Sequence, residues 1–215
     1  MKRRNSSVST VWRRDKNRSV FAILCVALFI SASFGCASSS KIQPLLSLER
    51  RSVAFVPFSF QERRLGESKA GIELAQLVAK FLSQSVKEIK IVSEKPAEKL
   101  FYGKKIENVE WQKVAFSICP DGADFVITGH INQFQTRSPK QVGLYEGNAE
   151  VFVYVFDKDG RQVLAQRVNA TYPFRQISAP VDTFEMSEEE FLGRLMARTA
   201  LLISRLFYEY SAEEE

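Results

Sequence analysis

The sequence predicts a single α+β domain, with a mixed sheet of about five strands packed by two or three helices, behind a cleavable N-terminal signal segment. Strand and helix patterns follow the order strand, helix, strand, helix, then three strands and a final helix, which is typical of this fold class. The 215 − 35 = 180 residues after the leader are enough for one hydrophobic core. We therefore divide the chain into a signal segment at 1–35, a tether at 36–51, a folded domain at 52–210 and an acidic tail at 211–215.

The first half of the predicted domain alternates strands with helices. Residues 52–58 are rich in β-branched and aromatic side chains, which indicates a strand. Pro57 marks its end, because proline has no backbone N–H for the ladder. Residues 68–87 place apolar side chains on one face at helical spacing. A short strand at 89–92, a helical turn within 96–103 and a helix at 110–118 follow.

Three strands and a long helix make up the second half, with the strands at 125–131, 150–157 and 162–172. The strand at 150–157 is apolar on both faces, so we expect both to be covered, the second by another helix of this chain or else by a partner protein. Its last residues, "DKDG", favour a hairpin turn. The final helix begins at Ser187, whose spacing from Glu190 predicts a capping box.

The leader indicates the cellular compartment. The first 35 residues hold 7 basic residues and 1 acidic residue, and the apolar run at 19–35 ends in small side chains, as in a secretory signal. This run of 17 residues is also at the low end of a membrane span, so an uncleaved single-pass anchor in the inner membrane is the alternative. The rest of the chain has 23 basic and 24 acidic residues, a net charge of −1, which argues against nucleic-acid binding.

The end of the leader resembles the signal of bacterial lipoproteins. Gly35 and Cys36 match the cleavage site, and small polar residues follow at 37–40. The resemblance implies that Cys36 carries the lipid and becomes the mature N-terminus. Ala37 replaces the aspartate that retains many such proteins at the inner membrane, so the resemblance implies an outer-membrane protein that faces the periplasm.

Four segments of the domain carry a second resemblance: "VAFVPF", "GIELAQLVAKFL", "GADFVITGHI" and "VFVYVFDKDGRQVL". Together they resemble the small periplasmic lipoprotein domains of the curli secretion lipoprotein CsgG, the penicillin-binding-protein activator lipoproteins and the N-terminal domain of TolB. The resemblance spans residues 53–208 and implies an envelope binding or scaffolding module. A ring-forming subunit of an export or assembly apparatus is the alternative.

Residues with catalytic or metal-binding chemistry are few. His130 is the single histidine, and no cysteine pair has metal-ligand spacing, so we expect no metal ion and no cofactor. Cys119 and His130 flank one turn and strand, which leaves a Cys/His-dependent enzyme as a third, less favoured class. A buried thiol and a hydrogen-bonded strand histidine are the simpler interpretation of the two residues, and we predict a protein that is not an enzyme.

Two segments that join predicted elements are the candidates for partner binding. The first, at 132–147, carries Phe134, Arg137 and Tyr145, and the second, at 172–184, carries Phe174 and Arg175. Aromatic and arginine side chains at the ends of strands are typical of interface hot spots. We predict an envelope protein as the partner and leave open whether the chain also forms a homo-oligomer; solvated loops without a partner are the alternative.

Overall fold

The structure is a computed structural model that describes residues 40–61, 64–118, 122–136, 147–173 and 186–212, and it confirms the predicted α+β class and mixed sheet. The strands are β1 (Lys41–Ile42), β2 (Ser52–Phe55), β3 (Ser59–Phe60), β4 (Lys90–Val92), β5 (Phe125–Gln135), β6 (Gly147–Asp157), β7 (Gln162–Tyr172) and β8 (Tyr210–Ser211). The helices are α1 (Lys69–Ser85), α2 (Glu98–Phe101), α3 (Trp111–Ile118) and α4 (Glu188–Ser204), with 3-10 turns at Lys95–Ala97 and Ile106–Asn108. Across these ranges, no helix is long and apolar enough to cross a membrane.

The main sheet has six strands and two kinds of pairing. Its order is β4-β2-β5-β6-β7, and β3 also pairs with β5. Strand β2 runs parallel to both β4 and β5, and β3 is parallel to β5. The two hairpin partners β6 and β7 complete the sheet with antiparallel pairs. The parallel half therefore needs crossover connections, whereas antiparallel neighbours such as β6 and β7 can be joined by a tight turn.

Helices α1 and α4 cover one face of the sheet. Each helix begins at a serine that caps it: the Ser68 Oγ accepts from the Gly71 N–H at 3.4 Å, and the Ser187 Oγ accepts from the Glu190 N–H at 3.2 Å. The second bond forms the N-cap half of the predicted capping box. The buried side chains between the two helices and the sheet form the larger core, which includes Leu74, Val78, Leu82, Val151, Val153, Val155, Met196, Ala200 and Ile203.

The shorter helices α2 and α3 cover part of the opposite face. Their core includes Ala54, Phe101, Val114, Ala115, Val126 and Phe156. The Trp111 ring stacks on the Phe156 ring, with centroids 4.4 Å apart and planes 10° from parallel. Phe152 and Tyr154, on the same face of β6, are only half-buried. Helices of the same chain thus cover both faces of β6, as the sequence favours, but the second cover is incomplete.

The folded domain begins and ends at different residues from those predicted. Within the expected tether at 36–51, β1 pairs with β8, the Leu45 N–H donates to the Leu206 carbonyl at 2.8 Å, and Leu48 is fully buried. The described residues from Lys41 onward are therefore part of the fold. Helix α4 ends at Ser204, and Ser211, expected in the tail, lies in β8. Two-residue strands have no periodic pattern, which is why the sequence gives no sign of this pairing.

Phe58 joins the two halves of the domain by packing against two glycines. Its carbonyl approaches helix α1 so closely that a Cβ built on Gly71 would lie 1.9 Å from the Phe58 oxygen. Its ring lies against β5, where a Cβ on Gly129 would come within 2.4 Å of the Phe58 Cε1. The Phe58 N–H also donates to the Gly71 carbonyl at 3.2 Å. This packing sets the position of β3, which follows directly.

We predict opposite effects on stability for one substitution at two helical glycines. Gly71→Ala should lower the free energy of unfolding by at least about 2 kcal/mol, because the new methyl group meets the Phe58 backbone. Gly193→Ala is the matched control: nothing lies within 4 Å of its Cβ position, so the change should stabilise by roughly 0.5–1 kcal/mol through helix propensity alone. Urea unfolding of both variants measures the difference. Equal effects at the two sites would contradict the packing argument.

Candidate functional site

An open cleft of about 920 Å³ lies where α2 and α3 leave the sheet uncovered. Buried and half-buried side chains form its floor, which comprises Ile106, Val109, Trp111, Tyr154 and Phe156. Exposed polar side chains form its rim, which comprises Gln61, Arg64, Lys105, Glu107 and Gln162. Ser59 and His130 complete the lining. The volume lies in the range of ligand-binding pockets, which are usually apolar clefts with a few polar groups.

Ser59 and His130 form a hydrogen-bonded pair in the cleft. The two residues are direct partners in the parallel β3–β5 ladder, and the Ser59 Oγ lies 2.9 Å from the His130 Nδ1. The same Oγ donates to the Gly129 carbonyl at 3.3 Å. When the serine proton is used in this way, the Nδ1–H donates to the Oγ and the Nε2 is the remaining acceptor of the ring.

Burial keeps His130 neutral. Partial burial lowers the pKa of His130 below its ordinary value of 6.5, and the charge of Glu107, which raises the pKa, opposes this only in part. Arg64 and Lys105 also line the cleft and add positive charge at the rim. At neutral pH the cleft therefore contains an uncharged imidazole that accepts a hydrogen bond, beneath a rim with charges of both signs.

The pair has the atoms of a nucleophile and a base but lacks the rest of a catalytic arrangement. A catalytic serine is normally activated by a histidine that a third group orients. Among the described residues, no carboxylate hydrogen-bonds to His130, and Ser59 is only 5% exposed. No group of three His, Cys, Asp or Glu side chains within these ranges could hold a metal ion.

The predicted site residues are distributed unevenly in the structure. Phe134 lies in β5, half-buried, and packs against two hydrophobic clusters, so its side chain also contributes to the core. The other four candidates for partner binding, Arg137, Tyr145, Phe174 and Arg175, lie outside the described residues, as do Cys36 and Cys119. These sites stay predictions.

The sequence did not predict the cleft. Ser59 and His130 are 71 residues apart, and the floor and rim come from segments that show no common motif. One signal was present: the strand at 150–157 is apolar on both faces, and its second face now includes both the Trp111 contact and the open floor. An apolar strand face that short helices cover only in part is where a cleft would be expected.

No protein-family model and no curated protein sequence matches this chain. Similar solved structures include the hypothetical protein CT253 from Chlamydia trachomatis, which is 18% identical with a TM-score of 0.43 and covers 73% of this chain and 91% of that one. The PelC dodecamer from Paraburkholderia phytofirmans is 13% identical with a TM-score of 0.46, over 79% and 96% of the two chains. Lipoprotein GNA1162 from Neisseria meningitidis is 14% identical with a TM-score of 0.44, over 72% and 98%. The similar structures thus include a bacterial lipoprotein, and similarities of this size leave the family and function of this chain open.

We predict that His130→Gln removes a loss of stability in acid. The pKa of His130 is lower in the folded chain than in the unfolded chain, so the unfolded chain takes up the proton first as the pH falls below 6.5. Wild type should lose stability from there down to the folded-state pKa, and the variant should lose less over the same range. The midpoints of urea unfolding of both proteins, measured as a function of pH, give the difference in stability between them. This difference should be constant above pH 6.5. Parallel pH profiles throughout would contradict the prediction.

Proposed function

We propose that this protein is a lipid-anchored binding module of the bacterial cell envelope and that the cleft is its binding site. One observation carries the binding function: an open cleft combines an apolar floor with a rim of amide, basic and acidic side chains. Such a surface offers apolar contact area and both hydrogen-bond donors and acceptors, which is what a specific ligand site requires. The Nε2 of His130, which accepts no hydrogen bond from the part of the chain that the structure describes, adds a fixed polar group.

The anchor is the second part of the proposal, and the leader sequence supports it. The basic head, the apolar run at 19–35 and the Gly35–Cys36 site match a lipoprotein signal. Because β1 starts at Lys41, only residues 37–40 would separate an acylated Cys36 from the folded domain. We place the domain at the outer membrane, facing the periplasm, and a single-pass anchor in the inner membrane is the competing arrangement.

The partner that this function implies is another component of the envelope. The resemblance to CsgG, the penicillin-binding-protein activators and TolB supports a module that binds or scaffolds rather than one that catalyses. The segments at 132–147 and 172–184 remain candidates for further contacts with that partner. Such contacts would act together with the cleft, since loops at strand ends and concave surfaces are both common recognition sites.

We predict that the anchor depends on Cys36. Cells that express the wild-type chain should incorporate a labelled fatty acid into it, and Cys36→Ala should abolish the label and leave a precursor that keeps the apolar segment. Cys119→Ser is the matched control and should be labelled normally. Several acyl chains hold a protein firmly at a bilayer, so the wild type should also sediment with membranes. An unlabelled wild-type chain that keeps its first 35 residues would favour the uncleaved anchor.

We also predict that the function does not require the nucleophilic side chains. Ser59→Ala and Cys119→Ser should each restore the phenotype of a deletion strain, because a binding surface tolerates the loss of one hydroxyl or thiol. Complementation is measured at matched protein abundance, and circular dichroism of each variant checks folding. If a folded, abundant Ser59→Ala or Cys119→Ser variant failed to complement, an enzyme with that residue as nucleophile would be favoured.

A further inference from the structure

We propose that the cleft binds a peptide segment in which an apolar side chain lies next to a carboxylate. The inference rests on the proposed binding function and names the ligand class of the same site. It follows from three features of the lining: the shape of the apolar floor, the charges of the rim and the hydrogen-bonding groups between them.

The floor fits a compact apolar side chain better than a flat ring, which would need an exposed aromatic face to stack on. Trp111 and Phe156 are each only 6% exposed, and one face of each ring is already used in their mutual stack at 4.4 Å. The aromatic surface that they leave to the cleft is therefore small. Tyr154, half-buried beside them, contributes the most accessible aromatic surface of the floor. A leucine- or isoleucine-like group would bury apolar area there.

The rim favours a negative charge on that ligand. Of its charged members, Arg64 and Lys105 are basic and Glu107 is acidic, which gives a net charge of +1 while His130 is neutral. The Arg64 guanidinium is held by a bond from its Nη1 to the Gly103 carbonyl at 3.1 Å, so it is oriented before a ligand arrives. A carboxylate beside the apolar group would be attracted to this rim, whereas a basic group would be repelled.

The remaining polar groups match the backbone of a peptide. Gln61 and Gln162 each carry an amide donor and an amide acceptor, and His130 offers an acceptor at Nε2. Peptide groups alternate N–H donors and carbonyl acceptors, so an extended segment can satisfy such a lining along its length. A phosphate or another simple anion would use the basic groups but would leave the apolar floor and the acceptor without partners. A neutral sugar would gain nothing from the net charge.

The test uses the full chain, purified in detergent, and a displayed library of random short peptides. The library is selected on the wild type, and the enriched peptides are synthesised and titrated by fluorescence anisotropy. We expect the enriched peptides to carry Asp or Glu next to a branched apolar residue. Tyr154→Ala should weaken their binding about tenfold, and Phe116→Ala, at an exposed aromatic outside the cleft lining, should leave it unchanged.

Two exposed rim variants supply a test that does not depend on the core. Lys105→Gln should weaken binding of the acidic peptides about two- to fivefold, and Glu107→Gln should tighten it by a similar factor, because the two side chains carry opposite charges at an exposed rim. Lys99→Gln, an exposed lysine on α2 that is not part of the cleft, is the control for non-specific attraction. Raising the salt concentration should reduce all charge effects together.

Four outcomes overturn the inference. Two concern the peptides: the selection does not enrich acidic peptides, or the enriched peptides bind Tyr154→Ala as well as wild type. The other two are that both rim variants shift binding in the same direction, or that the cleft binds members of a panel of neutral oligosaccharides and no peptides. None of them bears on fatty-acid labelling at Cys36, which tests the anchor separately. Failure of the ligand class and failure of the proposed envelope function are therefore distinguishable.

Discussion

Phe58 and the two glycines against which it packs determine how the two halves of this domain meet. Gly71 lets the Phe58 carbonyl approach helix α1, and Gly129 lets the Phe58 ring lie against strand β5. With a larger residue at either position, the helix or the strand would have to move. Because Ser59 follows Phe58 in the chain, this close packing also brings its hydroxyl to His130. One steric constraint thus connects the main core to the cleft.

The two faces of the sheet differ in how completely they are covered, and the cleft follows from that difference. Helices α1 and α4 have 17 residues each, but α2 and α3 have only 4 and 8. Strand β6 is 11 residues long and apolar on both faces over residues 151–156, so the short helices can shield it at Phe156 but not as far as Phe152. The uncovered length of the strand leaves an open, partly apolar surface beside these helices.

The sequence predicts most of the fold but little of the site, for a physical reason. Helix α1, helix α4 and strands β5 to β7 each carry a pattern within one continuous segment, so local spacing was enough to predict them. The β1–β8 pair joins residues far apart in the sequence and has two residues a side, too short for any period. The cleft could not be predicted from local spacing either, since Ser59, Trp111 and Tyr154 come together only in the folded sheet. Of the sequence-predicted contact residues, Phe134 shows the converse: an aromatic expected at a surface is partly used for packing.

The lining of the cleft is already held in place by bonds that do not involve a ligand. The Trp111 Nε1–H donates to the Ile106 carbonyl at 3.2 Å, which fixes the indole against the 3-10 turn. His130 is held by Ser59, and Arg64 is held by the Gly103 carbonyl. Each of these bonds joins a side chain of the lining to another part of the chain, so the arrangement is set by the fold. A ligand that binds there need not order these side chains, and this lowers the entropic cost of binding.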